Sequence, residues 1–174
     1  MTEPLDFELT LYPHPVLRKV AQPIEAFDES LEAIVLGMYA RMAASHGVGL
    51  AAPQVGLKKR ILVLNPTGEP ADDLTLINPR IVARSGAKTT MEEGCLSFPS
   101  IYAQIERPDR CTVEAQDVGG HPIRAEYDAF VSRIIQHEYD HLEGILLVDR
   151  MSPADKLKNK AALEELVDAF KSRR

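Results

Sequence analysis

No run of apolar residues in the sequence approaches the ~18 that a membrane-spanning helix requires, so no membrane association is expected. A basic surplus is also missing. The 20 Lys and Arg stand against 26 Asp and Glu, for a formal net charge of −6. A broad nucleic-acid surface needs a basic face, so no sequence-specific nucleic-acid binding is expected either. Cysteine is scarce: Cys95 and Cys111 are the only two. In a reducing compartment they form no disulfide framework, and each is free to be a core residue, a nucleophile or a ligand. The opening stretch MTEPLDFELT is acidic and lacks the basic and apolar regions of a secretory signal. The expected location is cytoplasmic. Internal repeats, low-complexity tracts and interdomain linkers are absent too. What remains is 174 residues, 45% hydrophobic and 26% charged, the make-up of one globular domain spanning 1–174.

Leu31, Ile34, Val35, Met38 and Met42 recur at three- and four-residue steps, which predicts an amphipathic helix over 28–45. The glycine- and proline-punctuated HGVGLAAPQVG then reads as a loop leading into a strand. RILVLN (60–65), LTLINPRIV (74–82) and CTVEAQD (111–117) have strand composition, the last followed by a VGGHPI turn and another short strand. Helical spacing resumes over 128–142, with Phe130, Ile134, His137 and His141 near one face. A final amphipathic helix is expected from about Pro153 to Phe170. Strands followed by a helix, rather than alternating with helices, indicate an α+β fold with an antiparallel sheet.

Within that penultimate helix, QHEYDH contains His137-Glu138-x-x-His141. Side chains four apart lie one above the other on a helix, so the two histidines can share a metal ion, with Glu138 within reach of a water on it. Two histidines are half a site. A protease pattern that adds Gly and then His after the second histidine finds Gly144 in place, but Leu147 where the His belongs. A downstream glutamate is offered only by Glu164 and Glu165, in a charged terminal helix. Upstream, MEEGCLSFPS places Cys95 in a glycine-adjacent, turn-like loop. A thiolate suits a borderline-soft divalent ion, and Cys-His-His leaves a fourth position for water. Cys95 is therefore assigned as a ligand, and Cys111, among alternating strand neighbours, to the core. Two other readings remain at this point: a zinc metallopeptidase whose third ligand is not Cys95, and a non-catalytic, metal-stabilised binding module.

Three segments taken together, GVGLAAPQ (47–54), EGCLS (93–97) and QHEYDHLEG (136–144), resemble the three signature motifs of peptide deformylase, and YPHPVLR (12–18) is similar to the family's opening pattern. The resemblance covers roughly residues 9 to 170. It implies antiparallel sheets around a central helix bearing the histidines, with N- and C-terminal helices. It implies removal of the N-formyl group from the formyl-methionine of nascent polypeptides, with release of formate after attack by metal-bound water or hydroxide. Cys95, His137 and His141 then correspond to the metal ligands and Glu138 to the general acid/base. Gln54 and the backbone N–H of Leu96 correspond to the oxyanion donors. The implied cofactor is one Fe2+ per chain, with Zn2+, Ni2+ or Co2+ able to substitute.

This assignment is chemically coherent. A divalent ion lowers the pKa of bound water from about 16 toward about 7. One carboxylate can then accept the water's proton and deliver it to the leaving amine. By family position, Val48, Met91, Phe130 and Ile134 are candidates for the wall of a methionine pocket, with ordinary core packing as the competing role. The resemblance also implies that the backbone at Gly49 bonds the peptide and that Glu93 lies near the pocket's rim. Arg133 and Tyr102 stand where relatives differ, and both bear on pocket shape. The last helix carries Lys156, Lys158, Lys160, Lys171, Arg173 and Arg174 around Leu157, Leu163, Leu166 and Phe170. The favoured reading is a docked helix with solvated charges, and the functional alternative is a transient ribosome contact, which Glu164, Glu165 and Asp168 oppose.

Overall fold

The computed structural model describes residues 1–173; Arg174, counted above among the terminal basic residues, lies outside them. Helix α1 runs Glu29–Ala44, with Asp28 at its N-cap accepting from the Leu31 N–H. Such a cap satisfies one of the orphan donors of a helix start. Leu31, Ile34, Val35, Met38 and Met42 are all buried, which is the face that the spacing predicts.

Five strands form one antiparallel sheet in the order β1-β2-β3-β4-β5: Gly49–Ala51, Ile61–Leu64, Leu74–Cys95, Phe98–Gln116 and Pro122–Asp128. Strand β2 explains how the layers stack. Its four residues are all buried, and alternate side chains point to opposite faces. Ile61 and Val63 join the core under α1, whereas Leu62 and Leu64 join a second core. That second core holds Ile134, Ile135 and Leu142 of helix α2, Ala129–Leu142. The sheet is thus covered on both faces at β2, and every residue from Ser132 to Glu138 is buried. Cys111 sits in the same core, where the Ser132 hydroxyl donates to its sulfur at 3.3 Å.

Two elements depart from expectation. The strand expected over 74–82 continues to Cys95, so the residue placed in a loop ends a strand. It pairs with Phe98 across a two-residue turn. Residues 83–92 are exposed and mostly polar around Gly86, so they carry no alternation to read. They are strand because β4 pairs with them, through bulges between Ile81 and Ala83 and between Ser85 and Lys88. The terminal helix is likewise interrupted. After α3, Leu147–Arg150, it runs as α4, Pro153–Lys158, and α5, Lys160–Ser172. Asn159 breaks it, and its amide donates to Asp155 O at 2.9 Å and to Tyr102 O at 3.0 Å on β4. A short polar side chain that bonds backbone competes with the helix ladder. No helix among the described residues is long and apolar enough to cross a membrane.

Candidate metal centre and active site

Helix α2 brings His137 and His141 one turn apart, with ring centroids separated by 5.4 Å. The end of β3 delivers Cys95 to the same place. Its Sγ is 3.3 Å from His141 Nε2, and one donor atom from each of the three residues lies within 4.8 Å of the others. Sulfur and nitrogen bound tetrahedrally to one zinc-sized ion stand about 3.5 Å apart. The spacing and the donor chemistry therefore fit a single divalent ion.

Each donor is aimed by a neighbour. His137 Nδ1 donates to Glu93 Oε1 at 2.9 Å, so its Nε2 is left for the centre. Such outer partners set a ligand's tautomer and angle. Glu93 is itself gripped by Arg107 at 2.7 and 2.9 Å and by Arg133 at 2.7 Å. Burial alone would raise the Glu93 pKa. The hydrogen bonds from His137 and Arg107 outweigh it and bring the pKa down to about 2, so Glu93 is a carboxylate. Burial pushes His141 well below its ordinary value, which keeps its ring neutral, as a ligand requires. Its Nδ1 is buried with no hydrogen-bond partner among the described residues.

Glu138 is different. Its Oε2 is buried and also has no hydrogen-bond partner among the described residues. Burial, reinforced by the charge of Glu93 and opposed by His137, raises its pKa to about 7. A carboxyl group poised near neutrality suits proton transfer in both directions. Gln54 lies across the centre in the 3-10 turn Ala52–Val55. Its Oε1 accepts from the Ala51 N–H at 2.9 Å, which turns Nε2 toward Cys95 Sγ at 3.5 Å and Ser97 Oγ at 3.4 Å. The amide thus enters the site as a donor. Strand β1 can approach only because Gly49 has no side chain. A Cβ there would lie 2.7 Å from Ile134 Cγ2 and 3.0 Å from Glu138 Oε1.

Beside the centre is a cavity of about 500 Å³ that Val48, Gly49, Met91, Leu96, Phe130 and Ile134 help to line. Val48, Met91 and Phe130 are 40%, 46% and 45% exposed, which separates them from ordinary core; Ile134 is 5% exposed and serves both. Tyr102, 54% exposed, stands on the same wall with its ring against Gly94. Glu93, expected near the rim, lines the same cavity from a buried position, with both oxygens bonded to His137, Arg107 and Arg133. Arg133 also turns inward, its head bonded to Glu93, Ile105 O and Thr89.

Sequence reasoning misses Arg107, Asp140 and Arg150. Arg107 donates to Asp140 at 3.1 Å, and Arg150 closes on the same carboxylate at 2.8 and 3.1 Å. A signal for Arg107 exists. Ile101, Ala103 and Ile105 alternate inward along β4, and Arg107 is the next residue of that parity. A cation on an inward position calls for a buried acid.

Comparison with known proteins agrees with this geometry. The family model described as polypeptide deformylase matches residues 7–157. The peptide deformylase of Thermotoga neapolitana is 40% identical over 168 residues, 97% of this chain and 99% of that protein. Peptide deformylase 1B of Arabidopsis thaliana, chloroplastic/mitochondrial, is 44% identical over 143 residues, 81% of this chain. The match spans about half, 52%, of that relative's own length. A crystal structure of peptide deformylase from Plasmodium falciparum superposes with a TM-score of 0.93 at 38% identity, covering 95% of this chain and 98% of that one. The matched region contains the Cys95, His137 and His141 centre together with Glu138 and Gln54, and the chain belongs to the polypeptide deformylase family of metal-dependent hydrolases.

Proposed function

We propose that this deformylase removes the formyl group from the N-terminal formyl-methionine of nascent polypeptides. The observation that carries this reading is the juxtaposition of a three-donor centre, an unpartnered buried Glu138 oxygen and the oriented amide of Gln54. The ion we assign to Cys95, His137 and His141 is one Fe2+ per chain, replaceable by Zn2+, Ni2+ or Co2+. When bound it supplies Lewis acidity toward the formyl oxygen and toward water.

The chain's own residues do the rest. Glu138 takes a proton from the attacking water and returns it to the departing amine, so the C–N bond breaks to give formate and a free N-terminus. Gln54 Nε2 and the Leu96 N–H donate to the oxygen on which charge develops. Donors aimed at that position before reaction need no reorganisation at the moment it occurs. Val48, Met91, Phe130 and Ile134 receive the methionine side chain, and the backbone at Gly49 aligns the peptide. For α4 and α5 the favoured reading stays a docked helix with solvated charges; loss of ribosome co-sedimentation on truncation after Pro153 would support the alternative, a transient ribosome contact. The proposed setting is the cytoplasm.

The test is formate release from formyl-Met-Ala-Ser by protein purified without oxygen and loaded with Fe2+, with Glu138→Ala alongside. Formate from the wild type alone supports the reading. No formate from either protein, with metal confirmed bound, overturns it.

A further inference from the structure

We propose that Arg133 is a positioning residue that joins the side-chain pocket to the metal centre: its stem walls the pocket, and its guanidinium shares the Glu93 carboxylate with His137. The inference deepens the function proposed above and rests on that reading for the identity of the pocket's occupant.

Arg133 lies one helical turn before His137 on α2, so both project toward the same side. It lines the cavity together with Met91, Phe130 and Ile134, yet its side chain is only 7% exposed. Long cationic side chains commonly present an apolar stem to one environment and a charged head to another. Here the head is tied down completely enough to transmit position. Nη1 donates to Glu93 Oε2 at 2.7 Å and to Ile105 O at 2.9 Å. Nη2 donates to Thr89 O at 2.8 Å and to Thr89 Oγ1 at 3.0 Å. The planar fork cannot satisfy these partners in a second orientation without giving some up.

Glu93 divides its oxygens between the two roles. Oε1 receives His137 Nδ1 and Arg107 Nη2, whereas Oε2 receives Arg133 Nη1 and Arg107 Nε. A displacement of Arg133 therefore tilts the carboxylate that orients His137. A side chain filling the pocket presses on the stem of a residue whose head is one hydrogen bond removed from the ligand's partner. The design favours peptides whose first side chain reaches that wall, and the effect falls on turnover as well as on binding.

Arg133→Met tests this with little disturbance. It keeps a linear stem, and Glu93 stays paired through Arg107 and His137. Wild type and variant are titrated with Co2+ under anaerobic conditions, recording the dissociation constant and the visible absorption, and are then assayed on formyl-Met-Ala-Ser. The expected result is Co2+ affinity and kcat each lower by roughly tenfold or more, KM within about twofold, and an altered cobalt spectrum. Arg133→Lys should recover part of the loss. An unchanged spectrum and affinity, with only a lower Tm, would overturn the coupling and leave a structural residue. Arg133→Ala tests the wall: kcat/KM for formyl-Phe relative to formyl-Met peptides should rise by roughly tenfold. An unchanged ratio overturns that half. The cobalt measurements need no turnover, so a wild type that makes no formate would sink the proposed function without touching them.

Discussion

Arg107 and Asp140 are bonded at 3.1 Å across the boundary between β4 and α2, and the same guanidinium holds Glu93 through Nε and Nη2. One cation therefore ties the strand that ends in Cys95 to the helix that carries both histidines. Removing it leaves two buried acids short of a partner. Arg107→Ala should destabilise the metal-free protein by about 3–5 kcal/mol, read from urea unfolding. A loss below about 1 kcal/mol would place the pair among exposed ion pairs of little consequence.

The amide of Gln54 makes a sharper prediction, because its orientation is set by the Ala51 N–H. Gln54→Ala should lower kcat by about a hundred- to a thousand-fold with KM little changed. A rise in KM at constant kcat would instead show that Gln54 holds the ground-state substrate.

Two glycines near the site should respond differently to the same added methyl group. At Gly49 the new Cβ meets Ile134 and Glu138 from within a packed interior. At Gly94 it meets the ring of Tyr102 at 2.8 Å, and that ring is more than half exposed and able to swing away. Gly49→Ala should cost most of the activity, and Gly94→Ala much less. Equal losses measured side by side would refute the steric argument.

A thiolate ligand brings an oxidative liability. Cys95→Ala should abolish tight metal binding by equilibrium dialysis, an outcome that a peptidase ligated elsewhere would not share. The iron-loaded enzyme should lose activity in air faster than nickel- or cobalt-loaded enzyme, since both Fe2+ and Cys95 are oxidisable. Identical half-lives for the three forms would contradict this.

Alkaline pH offers a probe remote from the centre. Burial raises the Tyr39 hydroxyl to about 12, with the hydrogen bond to Thr75 opposing and Asp73 assisting. A folded-state pKa above the unfolded value contributes stability that is fully present below about pH 10 and is lost as pH rises through about 12. Tyr39→Phe should flatten that alkaline decline in a chemical-denaturation series, and an unaltered slope would clear Tyr39 of the effect.

Much of the site was legible in the sequence because its chemistry is local. His137 and His141 are one turn apart on any helix, and Cys95 is the only thiol outside an alternating strand. The long-range parts were not legible. The outer half of β3 is strand only through its ladder with β4, and its exposed residues 83–92 report nothing of that pairing. The break at Asn159 depends on Tyr102 O, which is 57 residues away. The bonds that hold Glu93 were not legible for the same reason: its partners lie 14, 40 and 44 residues along the chain.

The clasp at Asn159 has a consequence for association between molecules. Strand β5 covers β4 only from Arg110 to Gln116, so among the described residues the edge near Tyr102 and Gln104 has no strand neighbour on that side. Asn159 takes the Tyr102 carbonyl, and Asp155 accepts the Gln104 N–H at 3.0 Å. Two side chains of the terminal helices thus occupy the backbone groups that another strand would seek. Next to them stand the apolar Ile101, Ala103 and Ile105. A free edge of this kind is a template for pairing with a second chain. By holding these backbone groups, the C-terminal helices block strand addition at this edge, and their removal would leave the Tyr102 carbonyl and the Gln104 N–H free to pair with another strand.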